Sequence, residues 1–166
     1  GTNARAWGGS SMAFGNNAKA SKGGAVAMGN GSQSRGDWGV AIGNGAKALA
    51  AGARAIGANS TADATNAAAM GWDSAASGEA SIAIGETAKA TKNNSIAMSK
   101  AAIAAADDSI AIGKNALVDV NQQRSIALGA NSKTANVVST PNQHVNGLWY
   151  KNLAGGSADS TLSVGS

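Results

Sequence analysis

Large apolar residues and small residues alternate along short segments of this chain, and the same segment returns at a nearly constant interval. Its clearest copy is Ser81-Ile82-Ala83-Ile84-Gly85. Nine copies begin at residues 11, 25, 39, 53, 67, 81, 95, 109 and 125, so the step is fourteen residues seven times and then sixteen. Alternation with a period of two predicts β-strands and is incompatible with the stripe of an amphipathic helix.

The positions within each copy are strongly constrained. The third is Ala and the fourth is large and apolar in all nine copies, while the fifth is Gly in all but one, which has Ser99. The eighth and tenth positions are small, and Gly and Asn clusters such as Gly15-Asn16-Asn17 predict tight turns. Each copy therefore predicts one coil of two short strands. Stacked coils would form parallel ladders rising about 4.8 Å per coil, in a rod roughly 40 Å long.

The ninth position indicates which side of the second strand faces the interior. It holds Lys19, Lys47 and Lys89, among others. Because lysine side chains must reach water, the small eighth and tenth residues should line the lumen of the coil. The invariant Ala and the following Gly of the first strand would close such a narrow lumen. The second and fourth positions would then point outward and form a continuous surface, which we call the apolar strip.

The apolar strip is larger than the patches that monomers usually expose, which predicts self-association. Arg54 and Ala68 interrupt its second position, and several Arg54 side chains buried together would need an anion or a route to solvent. The alternation of side chains alone leaves one alternative open, namely a monomeric solenoid with the large residues inside the coil and the alanines outside. The predicted interface residues are Phe14, Met28, Val40, Ile42, Ile56, Met70, Ile82, Ile84, Ile96, Met98, Ile110, Ile112, Ile126 and Leu128.

The composition agrees with a thin, repetitive object. Hydrophobic residues make up 43% of the 166, but only one Phe, one Tyr and four Trp are present, too few bulky side chains to fill a globular core. The net charge of +4 comes from scattered Lys and Arg without an aromatic-interleaved basic stripe, which argues against nucleic acid. No cysteine is present, and neither a signal-peptide pattern nor a membrane-length apolar run occurs. We therefore expect targeting and anchoring segments to lie outside these residues.

The repeat of Ser-Ile-Ala-Ile-Gly, then x-x-Ala-x-Ala and a short turn, resembles the head repeats of YadA-like trimeric autotransporter adhesins over residues 11 to about 134. The resemblance implies an all-β fold, a left-handed parallel β-roll, and a homotrimer with the Ile row at its axis. It also implies display on the bacterial cell surface, with contact to the outer membrane only through a C-terminal anchor beyond this sequence. Adhesins of this kind contribute to virulence.

Two departures from the repeat suggest how the chain is divided. Two extra residues near 121–124 predict a bulged surface turn. Residues 135–166 break the repeat, and we expect them to form an irregular cap and connector toward a neck or a Trp-ring domain, after a β-roll over residues 1–134. Within this cap we expect Trp149 to serve as a packing residue.

No constellation for catalysis is found, because the chain has one His, no Cys and none of the common nucleophile, metal or phosphate motifs. We therefore expect a non-enzymatic protein without cofactor or metal. Glu86 should lie beside Lys100 one coil further on, as an exposed ion pair. One short motif remains, Arg35-Gly36-Asp37-Trp38, whose first three residues spell the tripeptide that integrins recognise. The competing interpretation is a chance match in a glycine-rich turn, with Trp38 packed flat against the rod.

The first functional hypothesis is adhesion to a host cell-surface or extracellular-matrix protein, with collagen-like ligands implied by the resemblance. The lysine row of Lys19, Lys47 and Lys89 and the turns are the candidate contact surface, and a trimer would present each weak site three times. The second hypothesis is a structural or ice-binding solenoid. That class predicts a repeated Thr ladder, whereas the ninth position mixes Lys, Gln, Thr, Ala, Ile and Leu.

Overall fold

The computed structural model describes residues 1–136, the backbone of residues 142–145 and 148–151, and residues 160–164. These parts of the chain contain strands and turns but no helix. In chain order the strands are β1 Arg5–Ala6, β2 Met12–Phe14, β3 Lys19–Ala20, β4 Val26–Met28, β5 Gln33–Ser34, β6 Val40–Ile42, β7 Lys47–Ala48, β8 Arg54–Ile56, β9 Thr61–Ala62, β10 Ala68–Met70, β11 Ala75–Ala76, β12 Ile82–Ile84, β13 Lys89–Ala90, β14 Ile96–Met98, β15 Ile103–Ala104, β16 Ile110–Ile112, β17 Leu117–Val118, β18 Ile126–Leu128, β19 Asn142–Val145, β20 Leu148–Lys151 and β21 Leu162–Val164.

Two parallel sheets run the length of the repeat. The odd-numbered strands β1 to β17 form a nine-stranded sheet of two-residue strands, here the short-strand sheet. The even-numbered strands β2 to β18, followed by β21, form a ten-stranded sheet of three-residue strands, here the long-strand sheet. Met12 pairs with Val26, and Lys19 pairs with Gln33. Each strand residue therefore lies opposite the residue one repeat later in the sequence. The predicted parallel β-roll of two-strand coils is confirmed.

Four rows of small side chains fill the lumen between the two sheets. They occupy the first, third, eighth and tenth positions, and their alanines from Ala18 onward are essentially inaccessible to solvent. The largest fully buried side chain among the described residues is Val118. The orientation expected from side-chain parity is therefore confirmed, and the alternative with large residues inside the coil is wrong.

One detail of the predicted lumen is wrong. The fifth-position glycines were expected to line it beside the invariant Ala, but the buried row beside that Ala is the first position, as in Ala25, Ala53 and Ser81. The fifth-position glycines follow the strand and begin the turn, with φ between +108° and +140°. Their conservation in the repeat reflects backbone geometry, because this region is strained for residues with a side chain.

Close contact between successive turns imposes a second constraint on these glycines. A Cβ atom added to Gly57 would lie 2.4 Å from the carbonyl oxygen of Gly71 in the next coil. The same near-contact recurs at the neighbouring fifth-position glycines, Gly29, Gly43 and Gly71. Ser99, at φ 105°, is the exception in the repeat. Glycine therefore lets the coils approach closely enough for the ladder hydrogen bonds to form.

Most serines in the lumen satisfy their hydroxyl groups locally, whereas the buried hydroxyls of Ser34 and Ser81 have no partner among the described residues. The Ser32 hydroxyl donates to the Gly29 carbonyl at 3.0 Å, and that of Ser60 donates to the Gly57 carbonyl at 2.9 Å. The Ser109 hydroxyl donates to the carbonyl three residues earlier, at 2.6 Å. Since a buried hydroxyl without a partner is costly, these bonds explain how Ser can replace Ala in so narrow a space.

The two extra residues of the sixteen-residue coil lie in a turn over residues 119–124, which is exposed, as expected, at every position but one. Gln122, within the insertion, is buried at 4% exposure. Its amide nitrogen donates to the side-chain oxygen of Asn136 at 3.2 Å, and its amide oxygen accepts a hydrogen bond from the Thr161 hydroxyl at 3.4 Å. The insertion therefore turns a polar side chain inward and ties the last coils to residues that follow the repeat.

The chain returns to the ladder after its irregular segment. Strand β21 pairs in parallel with β18, with Leu162 opposite Ile126 and Val164 opposite Leu128. Ser163 occupies the rung of the invariant Ala, and its carbonyl accepts a hydrogen bond from the Ser132 hydroxyl at 2.7 Å. Strands β19 and β20 form a separate antiparallel pair. The division of the chain at residue 134 stays a prediction.

Substitution of one fifth-position glycine should show how strongly the stability of the fold depends on the close approach of successive coils. We expect Gly57→Ala to destabilise the fold by at least about 3 kcal/mol, because it combines a positive φ with a clash against Gly71. Thermal unfolding followed by circular dichroism provides the measurement. The matched control is Gly9→Ala, where an added Cβ would meet no atom within 4 Å, and which should change stability by less than about 0.5 kcal/mol. Equal losses in the two variants would contradict the close-approach explanation.

Candidate functional site

The outer face of the long-strand sheet carries the apolar strip. Its fourth-position side chains stand out most, as shown by exposures of 57% for Phe14, 42% for Met28 and 44% for Leu128. Its second-position side chains, such as Val40, are mostly half-buried between their neighbours on adjacent rungs. Because parallel rungs are about 4.8 Å apart, the two rows form a contiguous hydrophobic surface along the roll.

All fourteen residues predicted to form the interface lie on this outer face. The structure adds Met12, Val26, Leu162 and Val164, which continue the same two rows. Leu162 and Val164 are 66% and 68% exposed. A signal for them was present in the alternation of Leu162-Ser163-Val164, but the broken spacing hid its register. The apolar strip therefore extends one rung beyond the tandem repeat.

The outer face of the short-strand sheet carries the predicted lysine row. Lys47 and Lys89 are exposed and Lys19 is half-buried. Gln33 and Thr61 occupy intervening rungs, and toward the C-terminal end the row becomes apolar at Ile103 and Leu117. Lys133 pairs with Leu117 and continues the row, so positive charge recurs along the roll on both sides of these two apolar rungs. The predicted ion pair is also present in the turns, where the Lys100 ammonium lies 2.9 Å from the Glu86 carboxylate. Both partners are about half exposed, so it adds little stability.

Each residue of the Arg35-Gly36-Asp37 turn has a structural partner. The Arg35 guanidinium donates to the side-chain oxygen of Gln33 at 2.6 Å, and one Asp37 carboxylate oxygen accepts from the backbone N–H of Gly23 at 3.0 Å. A Cβ on Gly36 would lie 1.9 Å from the carbonyl oxygen of Ala50. The Asp37 bond recurs in other coils, where Asn93 and Asp107 accept from the backbone one coil earlier. This turn is therefore part of the coil-to-coil packing.

Trp38 combines high exposure with an unusual backbone. It is 73% exposed, has φ 57°, and its ring lies so close to Gly24 that a Cβ there would be 2.3 Å from a ring carbon. The Trp38 ring therefore touches the neighbouring coil at Gly24, while most of its surface stays open to solvent. Trp7 and Trp72 are also exposed, and the Arg5 guanidinium lies 5.6 Å from the centre of the Trp7 ring. Trp149 lies on β20, but its side chain is outside the described residues.

The geometry offers no site for small-molecule chemistry within the described ranges. No cavity is present there, and no group of three or more His, Asp or Glu side chains converges as a metal site would require. A search of the same residues for a helix that could cross a bilayer also gave none. The features that remain for function are surfaces, namely the apolar strip, the lysine row and the turns.

Comparison with known proteins relates this architecture to a family. A sequence model of the YadA head domain repeat, spanning two copies, matches residues 1–18, 8–32, 48–74, 76–98 and 100–116. Among solved structures, the collagen-binding domain of the Yersinia adhesin YadA superposes with a TM-score of 0.55 at 27% sequence identity. The match covers 80% of this chain and 69% of that domain. No curated protein sequence matches the chain significantly.

The two findings agree with the sequence repeat and with the observed fold. The family matches together span more than half of the chain, and they recur along the same coils that the ladders define. Membership of an adhesin family supports an adhesin-like function. This chain belongs to the YadA head domain family.

Proposed function

We propose that this chain is the head of a bacterial surface adhesin that acts as a homotrimer and attaches to host extracellular-matrix or cell-surface proteins. The observation that carries this proposal is the likeness of four-fifths of the chain to a collagen-binding adhesin domain. Collagen-like proteins are accordingly the first ligands to test. The proposed role is binding without catalysis, in agreement with the family.

The apolar strip supports the homotrimer. Fully burying one such side chain stabilises an assembly by roughly 1.5–3 kcal/mol, and the strip supplies two side chains on nearly every rung of the long-strand sheet. A closed ring of three rolls would bury the strip of each chain against the other two. The interface in this proposal consists of the fourteen residues predicted from the sequence, together with Met12, Val26, Leu162 and Val164.

The outward surfaces left by such a trimer support multivalent adhesion. The short-strand sheet lies on the opposite side of each roll from the apolar strip, so its lysine row and the turns would face the surroundings. Three copies of a weak site on one rigid body raise the apparent affinity by avidity, provided that the ligand can reach more than one copy. The irregular composition of that row, which lacks a repeated Thr ladder, gives no support to ice binding.

The proposed location is the bacterial cell surface. Display there requires export and attachment to the outer membrane, which in this proposal are provided by segments outside residues 1–166. The head itself would be held away from the membrane by the segment that follows the cap. A rod that presents adhesive faces on every coil suits this position.

Disruption of the apolar strip should abolish assembly and, because folding and assembly are coupled in this proposal, reduce the β-structure as well. We expect Ile84→Asp to convert the trimer to monomers, because three carboxylates would be placed in a hydrophobic interface. Loss of avidity should then weaken binding to immobilised triple-helical collagen by about 100-fold. Surface plasmon resonance measures the binding, and light scattering measures the mass. The control is Thr91→Asp, an exposed position away from the strip, which should leave both unchanged.

Neutralisation of the lysine row should identify the adhesive face. We expect the triple variant Lys19→Gln, Lys47→Gln and Lys89→Gln to weaken collagen binding by about tenfold and to leave the trimer intact, because these side chains lie opposite the strip. Its matched control replaces three exposed turn lysines, Lys22, Lys92 and Lys114, by Gln, and thus removes the same charge. If only the control variant lost affinity, the contact surface would be assigned to the turns instead.

A substitution at Asp37 can test whether the Arg35-Gly36-Asp37 tripeptide mediates adhesion, without loss of structure. We expect Asp37→Asn to keep the melting temperature within about 2 °C, because the amide oxygen can still accept from the Gly23 N–H. Attachment of integrin-bearing cells should also be unchanged if Asp37 serves only coil packing. A variant that folds normally but no longer supports attachment would show that the carboxylate is recognised.

A further inference from the structure

Arg54 is the one charged side chain on the outer face of the long-strand sheet. The second and fourth positions of all its strands are otherwise apolar, from Met12 and Phe14 to Leu162 and Val164. Arg54 is exposed in the single chain, as is typical of arginine. Its place within a surface that an interface would cover therefore needs a physical explanation.

The neighbours of Arg54 cannot neutralise its charge. Val40 and Ala68 flank it in register on the adjacent rungs, and Ile56 shares its strand. Within the described ranges no carboxylate lies within ion-pair distance of Arg54, and no hydrogen bond to its guanidinium is found. Ala68 has only a methyl group, so the rung beside Arg54 offers more room than the rungs occupied by Ile, Val or Met. The charge and this space lie side by side on the apolar strip.

Assembly would bring three copies of this charge together. The inference rests on the homotrimer proposed above, in which equivalent residues of three chains face a common axis. Three guanidinium groups removed from water would repel one another and lose their hydration, and neither cost is offset by the apolar neighbours. An anion at the axis would remove both costs, because each guanidinium offers several N–H donors in a planar fork that suits oxyanions.

We propose that the three Arg54 side chains of the assembled head bind one small inorganic oxyanion, phosphate or sulfate, at the level of strand β8. Each chain contributes one guanidinium, and the small Ala68 side chains provide space for the anion. The site does not exist in a single chain. Binding therefore stabilises the trimer selectively, since the separated chains have no equivalent affinity.

The experiment uses the 166-residue head and inorganic phosphate as the probe. Phosphate is titrated at constant ionic strength, set with sodium gluconate, while thermal unfolding and solution mass are recorded. The matched variant is Arg54→Met, because Met12 occupies the same position in another coil. Arg54→Lys retains the charge but not the planar fork. Isothermal titration calorimetry on the unaltered head gives the stoichiometry, and sulfate is tested as a competitor.

We expect phosphate to raise the melting temperature of the unaltered head by at least about 3 °C, with one phosphate bound per three chains. Arg54→Met should form trimers that melt at a higher temperature without phosphate and do not respond to it. Arg54→Lys should bind phosphate about tenfold more weakly. An equal response in the unaltered head and Arg54→Met, or one phosphate per chain, would overturn the shared site.

Two further outcomes separate this inference from the proposed assembly. Trimers of the unaltered head that do not respond to phosphate would refute the anion site alone. The charge would then be balanced by a carboxylate of a neighbouring chain or by access to water. Monomers at all concentrations would refute the trimer and the anion site together.

Discussion

The two sheets of each coil are held so close together that only small side chains fit between them. This spacing follows from the lining residues, which are mostly Ala and Ser, and Val118 is the largest side chain that the described part of the roll buries completely. Interiors of proteins are packed to high density, so a larger residue in one coil would have to push apart the rungs above and below it. The fifth-position glycines maintain the same close spacing along the stack, because their Cα atoms lie directly against the next turn.

A lumen of this size leaves the large aliphatic residues no place inside the chain. They occupy the outer face of the long-strand sheet, where the ladder aligns them into the apolar strip. The stacked coils form many backbone hydrogen bonds. They bury little apolar surface per residue, because the alanine side chain is small. In the proposed assembly, contacts between chains therefore provide hydrophobic stabilisation that an ordinary domain obtains from its own core. Folding and assembly would then be coupled.

The sequence was sufficient to predict the coil period, the parallel ladders and the direction of nearly every strand side chain. These features follow from two local rules, alternation along a strand and exposure of lysine, and the repetition of Lys19, Lys47 and Lys89 made the second rule decisive. The same rules could not place Gln122 or β21, because both depend on contacts across a break in the period. The fifth-position glycines were misplaced because the alternation was extended one residue beyond the end of each strand, where the chain already turns.

The surface motifs show a different limit of prediction. Arg35, Gly36 and Asp37 match a recognition tripeptide, yet Asp37 is bonded to Gly23 one coil away and Arg35 to Gln33 two residues earlier. Nothing in the tripeptide itself indicates those partners. Arg54 was identified as anomalous from the sequence alone, because a charge in a regular apolar row stands out without coordinates.

In the proposed assembly each chain needs copies of itself to cover the apolar strip. Sedimentation equilibrium of the unaltered head at nanomolar to micromolar concentration tests it most directly, with circular dichroism at the same concentrations. We expect a mass of three chains of 16.1 kDa each, and loss of β-structure wherever dilution dissociates them. A monomer that keeps its full β-signal at every concentration would contradict it.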